Sequence, residues 1–472
     1  MKVEQLFTGC LAEMAYYIEN NGEVAIIDPL RETAPYIKMA EADNAKIKYI
    51  FMTHFHADFV SGQFDLAKKT GATIVFGPNA QTEYDIHQGK DGEVFKIGDA
   101  ELKLLHTPGH TMESSSYLLT DKDGKAPYIF TGDCLFIGDV GRPDLAVKSD
   151  VTEADLAGHL FDSLRNKIMP LPDDIIVYPN HGAGSSCGKN MSSETFDTLG
   201  HQKETNYALR ANMTKEEFIK EVTDGLVAPP QYFPNNVRMN KGINTSIDDI
   251  LARGTTPYDA NDFKALADKE DVLVLDTRSK DSYRAEGTIP GAWWIGINGS
   301  FAPWVGALIT NINQKIIFIC DEDIQANEVV TRLSRVGYDN TLGYLAGGLN
   351  SWKTAGYDLD KINSVSAAKF ATKYNAGEIE APLDVRKESE FYSEHVIGLE
   401  NFPLGFINKN ISTLEKNKDY YVHCAGGYRS LIATSIMKAN GVKNVTDIRG
   451  GFDDIKNTNV EFSAYVCPST MS

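Results

Sequence analysis

Two histidines and a carboxylate lie close together in the segment Thr53-His54-Phe55-His56-Ala57-Asp58. The apolar run before them, Ile47 to Met52, predicts a short buried strand. Residues two apart on a strand share a face, so His54 and His56 can point into one cavity. Imidazole binds zinc, copper, iron and nickel, and an added carboxylate gives a mixed nitrogen and oxygen site. Taken alone, the segment is also compatible with solvated histidines at a strand end.

Three further motifs downstream place histidine or aspartate beside apolar runs: Thr107-Pro108-Gly109-His110, Thr131-Gly132-Asp133 and Pro179-Asn180-His181-Gly182. Loops held by a rigid sheet commonly carry binding residues. The four motifs together therefore predict a metal site, and they outweigh the interpretation as solvated histidines.

The length and charge of the chain limit the classes of protein to which it can belong. At 472 residues it is too long for a single core, and roughly two to four domains are expected. Its net charge of −19 argues against binding to nucleic acid or anionic membranes, since both need basic patches. No apolar run reaches the roughly 18 residues of a membrane-spanning helix.

The cysteines and the first residues bear on the compartment. The six cysteines are scattered without a CxxC pair, which is unlike a secreted disulfide framework. The first residues lack the hydrophobic region of a signal peptide. A cytoplasmic protein is expected.

Residues 1–242 alternate predicted strands and helices, with the histidine motifs where strands end, and this pattern predicts a layered α/β sandwich. A capped helix is expected after Thr214, because Glu217 three residues on completes a capping box. The prolines of residues 226–236 predict an irregular connector. Predicted strands are Met14–Ile18, Val24–Ile27, Thr73–Phe76, Ala100–Leu105, Ser116–Leu119 and Tyr128–Phe130, and predicted helices include Ala34–Ala42 and Gln63–Thr70.

In order and spacing, the four motifs THFHADF, TPGH, TGD and PNHG resemble the metallo-β-lactamase superfamily. The resemblance implies an αββα sandwich and a two-metal centre. The first metal would be bound by His54, His56, His110 and Asp133. The second would be bound by Asp58, the residue after it, Asp133 and His181. This chain has Phe59 at the position after Asp58, and phenylalanine cannot bind a metal, so a single-metal centre is predicted. The alternative is a weakened pair of zinc ions that tolerates Phe59.

Two longer segments, Thr131 to Leu145 and His181 to Asn190, resemble the persulfide dioxygenases of this superfamily. The resemblance implies one non-haem Fe(II) per chain, bound by His54, His110 and Asp133, and oxidation of a low-molecular-weight thiol persulfide by O₂ to sulfite. Two histidines and one carboxylate on one face leave positions for water, O₂ and substrate. His56 would lie near the iron without being a principal ligand.

Three other residues beside these motifs are weaker candidates. Arg142 is a candidate for substrate binding, because a guanidinium binds carboxylates bidentately, and a structural salt bridge is its alternative role. Cys134 and Cys187 lie beside motif loops and could contact a persulfide. A buried cysteine usually behaves as a small apolar residue, however.

The rest of the chain contains an internal repeat. Residues 272–278 parallel 381–386, and the apolar run that ends at Cys320 parallels the run that ends at Cys424. A glycine pair and an aromatic residue follow in both copies. Each copy resembles a rhodanese, the sulfurtransferase family, and the resemblance implies two α/β domains, at residues 243–361 and 362–472.

The loop after Cys424 has the composition of an anion cradle: Cys424-Ala425-Gly426-Gly427-Tyr428-Arg429-Ser430. Gly426 and Gly427 allow backbone N–H groups to converge on the sulfur, and the following helix adds partial positive charge. Cys424 is therefore the predicted catalytic nucleophile, carried as a thiolate or persulfide. Arg429 would stabilise its negative charge, and the two glycines would bind the anionic substrate.

The corresponding loop of the first copy, Cys320-Asp321-Glu322-Asp323, is acidic. Its carboxylates would raise the pKa of the thiol and repel an anionic donor such as thiosulfate. Cys320 is therefore predicted to be structural, and residues 243–361 are predicted to form an inactive rhodanese-like domain.

These features favour an iron-dependent persulfide dioxygenase and thiosulfate sulfurtransferase in one chain, suited to sulfide detoxification. Cys424 would supply persulfide, or would transfer sulfur to sulfite to form thiosulfate. Fusion raises the effective concentration of a reactive intermediate at the second site. One alternative is a zinc-dependent thioester hydrolase of the glyoxalase II type with an attached sulfurtransferase. A sulfur-carrier scaffold with an inert metal domain is another. The sequence leaves open the thiol carrier, the direction of sulfur flow, the roles of Cys134, Cys187 and Cys320, and whether the chain forms a homo-oligomer.

Overall fold

The computed structural model describes residues 1–147, 151–189, 191–226 and 228–467. The chain divides into two compact units. The first comprises Met1–Asp249 with Ser334–Gly337, and the second comprises Ile250–Leu333 and the chain from Tyr338 onward. Within the described residues, every helix is too short or too polar to cross a membrane.

Two six-stranded sheets form the first unit. The first sheet, in spatial order, contains β1 (Lys2–Thr8), β2 (Glu13–Asn20), β3 (Glu23–Ile27), β4 (Lys46–Phe51), β5 (Thr73–Phe76) and β6 (His87–Gln88). The second contains β7 (Val94–Ile97), β8 (Ala100–His106), β9 (Ser115–Thr120), β10 (Tyr128–Gly132), β11 (Ile176–Pro179) and β12 (Asp197–Thr198), also in spatial order.

Helices cover the outer faces of both sheets. They are α1 (Ala34–Ala42), α2 (Gln63–Thr70), α3 (Glu153–Ser163), α4 (Leu199–Thr205), α5 (Lys215–Thr223) and α6 (Phe233–Lys241), and α7 (Ile247–Gly254) follows them. The side-chain alternation of β2 explains the layering. Tyr16 packs with Phe130 in the core between the sheets, whereas Tyr17 on the opposite face packs with Tyr36 of α1. Both faces are buried, which confirms the predicted αββα sandwich.

In the first unit, one local prediction from the sequence is confirmed and two differ from the structure. The capping box that joins Thr214 and Glu217 is present at the start of α5. Strand β4 ends at Phe51, so the histidine motif lies in the loop beyond it and not on the strand. The predicted connector at 226–236 is partly helical, because α6 begins at Phe233 with Pro234 in its first turn. Proline is tolerated there, since that N–H has no partner within the helix.

Two five-stranded parallel sheets form the second unit. The first contains, in chain order, β13 (Pro257–Tyr258), β14 (Val272–Asp276), β15 (Trp293–Trp294), β16 (Lys315–Ile319) and β17 (Thr341–Leu345). The second contains β18 (Asn363–Ser366), β19 (Ala381–Asp384), β20 (Glu400–Asn401), β21 (Asp419–His423) and β22 (Asn444–Arg449). The helices are α8 (Ala260–Ala267), α9 (Lys280–Glu286), α10 (Phe301–Leu308), α11 (Ala326–Arg335), α12 (Gly348–Thr354), α13 (Ala367–Asn375), α14 (Glu388–Ser393), α15 (Ile407–Asn410), α16 (Tyr428–Ala439) and α17 (Gly451–Ile455).

The two sheets of this unit have the same strand order, β13-β17-β16-β14-β15 and β18-β22-β21-β19-β20. This correspondence confirms the internal repeat. Cys320 follows β16 and Cys424 follows β21, so each cysteine lies at the carboxyl end of a parallel strand. Open parallel sheets bind ligands at that edge.

Candidate functional site

Four loops of the first unit bring the predicted metal ligands together. His54 follows β4, His110 follows β8, Asp133 follows β10 and His181 follows β11. All four side chains are almost completely buried. The sequence motifs are therefore neighbours in space, although about 130 residues of chain separate the first from the last.

His54, His110 and Asp133 form a group whose candidate ligand atoms all lie within 4.8 Å of one another. The Nε2 atom of His110 is 3.4 Å from Asp133 Oδ2, and Nε2 of His54 is 3.8 Å from the same oxygen. Two imidazoles and one carboxylate this close together match the ligand set that binds non-haem iron. The set can also bind zinc.

Hydrogen bonds orient both imidazoles of this group. His54 Nδ1 lies 3.0 Å from Thr53 Oγ1, and that hydroxyl donates to Asp28 at 2.7 Å. Because the Thr53 hydroxyl donates its hydrogen to Asp28, its oxygen accepts the hydrogen bond from His54. His54 Nδ1 therefore carries the proton. His110 Nδ1 donates to the carbonyl oxygen of Arg142 at 2.8 Å. Both Nε2 atoms are left with their lone pairs directed at the group, as metal-binding histidines require.

The polar atoms of the group fit a cation. His54 Nε2 and both carboxylate oxygens of Asp133 are buried and have no hydrogen-bond partner. Buried polar atoms of this kind are costly unless something compensates them. Burial, together with the neighbouring His56 and His110, lowers the pKa of His54 well below its usual value, which favours the neutral imidazole that binds metals.

Gly132 allows the Asp133 loop to approach the histidine loop. Its φ is +54°, and a Cβ atom on it would lie 2.6 Å from the Cβ atom of Thr53. Only glycine combines that backbone conformation with so close a contact. In the TGD motif, Gly132 is therefore needed for packing and Asp133 is the candidate ligand.

His56, Asp58 and His181 form a second group of candidate ligands. His181 Nε2 is 3.4 Å from Asp58 Oδ2 and 3.8 Å from Asp133 Oδ1. Burial alone would lower the pKa of His56, but the Asp28 carboxylate at 3.0 Å, with other acidic neighbours, raises it overall. His54 and His56 do not share a strand face, because the strand ends at Phe51. Their rings are nevertheless 4.2 Å apart, so the two side chains point to the same place, as expected. His56 lies outside the His54 group, consistent with its lower rank as a ligand.

The weaker candidates of the first unit have distinct surroundings. Cys187 forms a third group with Asp133 and His181, and burial, with Asp58 and Asp133, raises the pKa of its thiol well above the usual value. Burial raises the pKa of Cys134 to about 12, as expected for a structural cysteine. The guanidinium of Arg142 is paired with Asp144 through two contacts of 2.6 and 2.7 Å. This pairing favours the structural alternative for Arg142, whose backbone also orients His110.

Sequence reasoning missed Glu13, a charged residue type buried in β2 beside these groups. Both carboxylate oxygens of Glu13 are buried without a hydrogen-bond partner, and its backbone forms a β-bridge with His181. Burial, with the negative charges of Asp28 and Asp58, raises the pKa of Glu13 well above the usual value. Its signal in the sequence is an acidic residue directly before the apolar run Met14–Ile18.

The loop predicted to form an anion cradle folds back on Cys424 in the second unit. The Gly427 N–H donates to Cys424 Sγ at 3.1 Å, and Ser430 Oγ lies 3.7 Å from the same sulfur. Helix α16 begins at Tyr428, so its N-terminus faces the loop. Gly427 has a φ of +89°, a conformation that glycine adopts without strain.

A cavity of about 310 Å³ opens over Cys424. Its lining contains Gly426, Tyr428 and Arg429 from the cradle, as well as Ser300 and Trp304 from the other repeat. Sequence reasoning singled out Gly426 and Arg429. It missed Tyr428, and it missed Ser300 and Trp304 because no motif in the first repeat marks them. The repeat predicted to be inactive therefore supplies part of the cavity wall around Cys424.

Arg429 is close to Cys424 but already has a partner. Its two terminal nitrogens contact the two Glu390 oxygens at 2.6 and 2.8 Å. No motif indicates this pair, since Glu390 lies on a different helix, α14. Part of the positive charge of Arg429 is therefore offset before any substrate arrives.

The corresponding loop at Cys320 has no such cradle. Burial, followed by the charges of Asp323 and Asp321, raises the pKa of the Cys320 thiol to about 12. Asp321 accepts from the Ser279 N–H at 2.8 Å, and Asp323 accepts from the Gly347 N–H at 3.0 Å. Carboxylates thus occupy backbone donors near this cysteine, in agreement with the sequence-based expectation for the loop.

Family models match most of the chain. The model of the metallo-beta-lactamase superfamily matches residues 8–181. The model of the rhodanese-like domain matches twice, at residues 259–355 and 366–458. Both families indicate an enzyme. The residues matched by the first model lie in the first unit, and those matched by the second lie, apart from Ser334–Gly337, in the second unit with its two parallel sheets.

The chain is also similar to individual proteins, over different lengths and at different identities. The chain is 33% identical over 177 residues to "Probable hydroxyacylglutathione hydrolase glo2" of Schizosaccharomyces pombe, covering 37% of this chain and 64% of that protein, which is less than two thirds of its length. A solved structure of ETHE1 from Myxococcus xanthus is 28% identical, with 51% of this chain and 100% of that chain covered, and a TM-score of 0.43.

A solved metallo-beta-lactamase from Staphylococcus aureus matches a longer part of the chain. The identity is 32%, the alignment covers 73% of this chain and 98% of that chain, and the TM-score is 0.63. A match of this identity over nearly all of a known member is enough to assign the family. The chain belongs to the metallo-beta-lactamase superfamily and carries two rhodanese-like domains after its metallo-beta-lactamase domain.

Proposed function

We propose that this chain is an iron-dependent persulfide dioxygenase coupled to a sulfurtransferase. The dioxygenase domain would comprise residues 1–242, an inactive rhodanese-like domain residues 243–361, and the catalytic rhodanese domain residues 362–472. The observation that carries the proposal is the His54, His110 and Asp133 group, whose candidate ligand atoms lie within 4.8 Å of one another, whereas Phe59 stacks on His56 of the second group and occupies the position of a further ligand there.

The residues of the first site are suited to hold one Fe(II) per chain. His54 and His110 present Nε2 lone pairs, and Asp133 supplies a carboxylate with no other partner. An iron ion bound there would supply the O₂ chemistry that side chains lack. The full reaction converts one persulfide, one O₂ and one water into the thiol, sulfite and two protons. The almost complete burial of the ligands limits the access of bulk water to them.

The residues of the second site are suited to move sulfur. The Cys424 thiolate attacks the outer sulfur of a donor, and the donor's S–S bond breaks as the new S–S bond forms. Sulfite can then take the outer sulfur from the Cys424 persulfide, which yields thiosulfate and restores the thiolate. The Gly427 N–H, Arg429 and the N-terminus of α16 stabilise negative charge at this point.

Metal analysis combined with O₂ uptake tests the proposal. Protein purified without added metal should contain about one iron per chain, and it should consume O₂ and release sulfite when glutathione persulfide is added as a probe. Adding thiosulfate and cyanide should give thiocyanate through Cys424. Stoichiometric zinc, with no O₂ uptake on persulfide, contradicts the proposal.

A thioester hydrolase is the second candidate, and one structural observation favours it. The His56, Asp58 and His181 group offers ligands for a second metal, as a two-zinc hydrolase requires. The Schizosaccharomyces pombe relative is named a probable hydroxyacylglutathione hydrolase. Hydrolysis of S-lactoylglutathione by the zinc-loaded chain, with about two zinc ions bound, would support this candidate over the first.

A further inference from the structure

A buried ion pair joins the two repeats of the second unit beneath the Cys424 loop. Arg284 belongs to α9 of the first repeat, and Asp447 belongs to β22 of the second. The terminal nitrogen of Arg284 lies 2.8 Å from Asp447 Oδ2, and its Nε lies 3.2 Å from the same oxygen. The Asp447 side chain is completely buried, whereas that of Arg284 is 17% exposed.

The pair connects to the cysteine through one hydroxyl. Ser430 Oγ donates to Asp447 Oδ1 at 2.8 Å and lies 3.7 Å from Cys424 Sγ. Arg284 also donates to the carbonyl oxygen of Gly427 at 3.5 Å, the residue whose N–H contacts the sulfur. The arginine therefore contacts the loop directly at the Gly427 carbonyl and indirectly through Asp447 and Ser430, and it is not part of the cavity lining.

Asp447 would oppose the chemistry of the loop if it stood alone. A carboxylate two hydrogen-bond steps from the sulfur disfavours a thiolate. Burial raises the pKa of Asp447, while Arg284 and the hydroxyls of Ser430 and Ser364 act in the opposite direction. The Arg284 cation 2.8 Å from Asp447 opposes the field of the carboxylate.

We propose that Arg284, from the repeat with the inactive cysteine, is a positioning residue for Cys424: it neutralises Asp447 and thereby sets the acidity of the thiol through Ser430. This inference deepens the proposed sulfurtransferase function and rests on it. The first repeat would then contribute to the Cys424 site through Arg284 and not through Cys320.

Other charged groups around the loop form separate pairs. Arg429 is paired with Glu390, Arg386 is paired with Asp384, and His423 Nε2 lies 3.7 Å from Asp384. Asp453 differs from these pairs: its N–H donates to the Ala425 carbonyl oxygen, and its Oδ2 atom lies 3.8 Å from the position of a Cβ atom on Gly426, so its carboxylate faces the loop. Replacing Arg284 therefore changes the charge balance at Asp447 and leaves these pairs in place.

The test measures the pH dependence of Cys424 alkylation by iodoacetamide in the full chain, with the modified peptide quantified by mass spectrometry. Arg284→Met should raise the midpoint of the profile by about one pH unit, which lowers the rate at pH 7 by about tenfold. Asp447→Asn should move the midpoint in the opposite direction, because it leaves Arg284 uncompensated. The double variant should return it close to the wild-type value.

Lys438→Met provides the matched control. Lys438 is similarly buried, pairs with Asp360, and lies ten residues along α16 from Tyr428, so its loss should not shift the midpoint. An unchanged profile for Arg284→Met, or a double variant shifted as far as the single one, overturns the proposal. If Arg284→Met does not fold, the direction of the Asp447→Asn shift decides. Alkylation requires no sulfur transfer, so a failure here is distinct from a failure of the sulfurtransferase function, which the Cys424→Ser variant tests.

Discussion

The ring of Phe59 stacks on the ring of His56, with centroids 4.3 Å apart and an angle of 25° between the planes. Phe59 is completely buried, and in the superfamily motif its position would hold a metal ligand. An apolar ring thus occupies a place beside His56, Asp58 and His181 that would otherwise favour a second metal.

Phe59→His should restore that site. The new imidazole would join Asp58 and His181, so zinc bound after reconstitution should rise from about one to about two ions per chain. Phe55→His is the matched control, because Phe55 is also buried in this loop but packs against Phe76. Equal zinc content in wild type and Phe59→His would mean that Phe59 does not decide the stoichiometry.

His110→Ala should abolish persulfide-dependent O₂ consumption, since it removes one ligand of the only group that contains two histidines and Asp133 among the described residues. Sulfur transfer at Cys424 should persist, because that cysteine belongs to the other unit. An O₂ electrode and a thiocyanate assay measure the two activities. His106→Ala, which removes a half-buried neighbouring histidine, should affect neither. Loss of both activities in a folded His110→Ala protein would indicate one composite site.

Cys424→Ser should remove thiosulfate-dependent sulfur transfer almost completely, because a serine hydroxyl cannot form the covalent persulfide. Cys320→Ser should change transfer little. Mass spectrometry of the wild-type protein after incubation with thiosulfate should find the added sulfur on Cys424. Sulfur accumulating on Cys320, or an equally large defect in Cys320→Ser, would instead make Cys320 a relay.

Cys320 should resist alkylation between pH 6 and 9. Its thiol pKa is raised to about 12, so the reactive thiolate is a very small fraction of the total until the pH approaches that value. The double variant Asp321→Asn/Asp323→Asn should lower the pKa and speed alkylation only partly, because burial is the largest cause of the shift. Peptide mass spectrometry after iodoacetamide treatment checks both expectations. Rapid alkylation of wild-type Cys320 at pH 8 would contradict them.

Trp304→Ala should weaken the binding of sulfur donors at Cys424. The indole forms part of the cavity wall, and its removal opens the site to water and loses apolar contact area. We expect KM for thiosulfate to rise several-fold with a smaller change in kcat. Trp293→Ala, a partly buried tryptophan of β15 outside the cavity lining, is the control. An unchanged KM in Trp304→Ala would show that the first repeat does not contribute to donor binding.

The sequence by itself predicted a layered α/β sandwich and the repeated α/β domains, and the resemblance of its motifs implied the αββα arrangement and the His54, His110 and Asp133 group. These features depend on local patterns: apolar strands followed by histidine or aspartate, and a glycine loop after Cys424. The ligands lie at the ends of strands, so a pattern along the chain is enough to predict that they meet. The difference between the acidic loop at Cys320 and the glycine loop at Cys424 could also be predicted, because the residues that distinguish the two cysteines are adjacent to them in the sequence.

The tertiary structure alone decided which side chains neutralise or complete these sites. Each of these contacts involves residues from different elements. They are the ion pairs Arg429–Glu390 and Arg284–Asp447, the Trp304 side chain in the cavity wall at Cys424, and Glu13 beside His181. His54 and His56 are two residues apart, yet they have different partners because the chain leaves the strand at Phe51. Electrostatic and packing contacts depend on distance in space, and residues far apart in a single sequence carry no periodic signal of their contact.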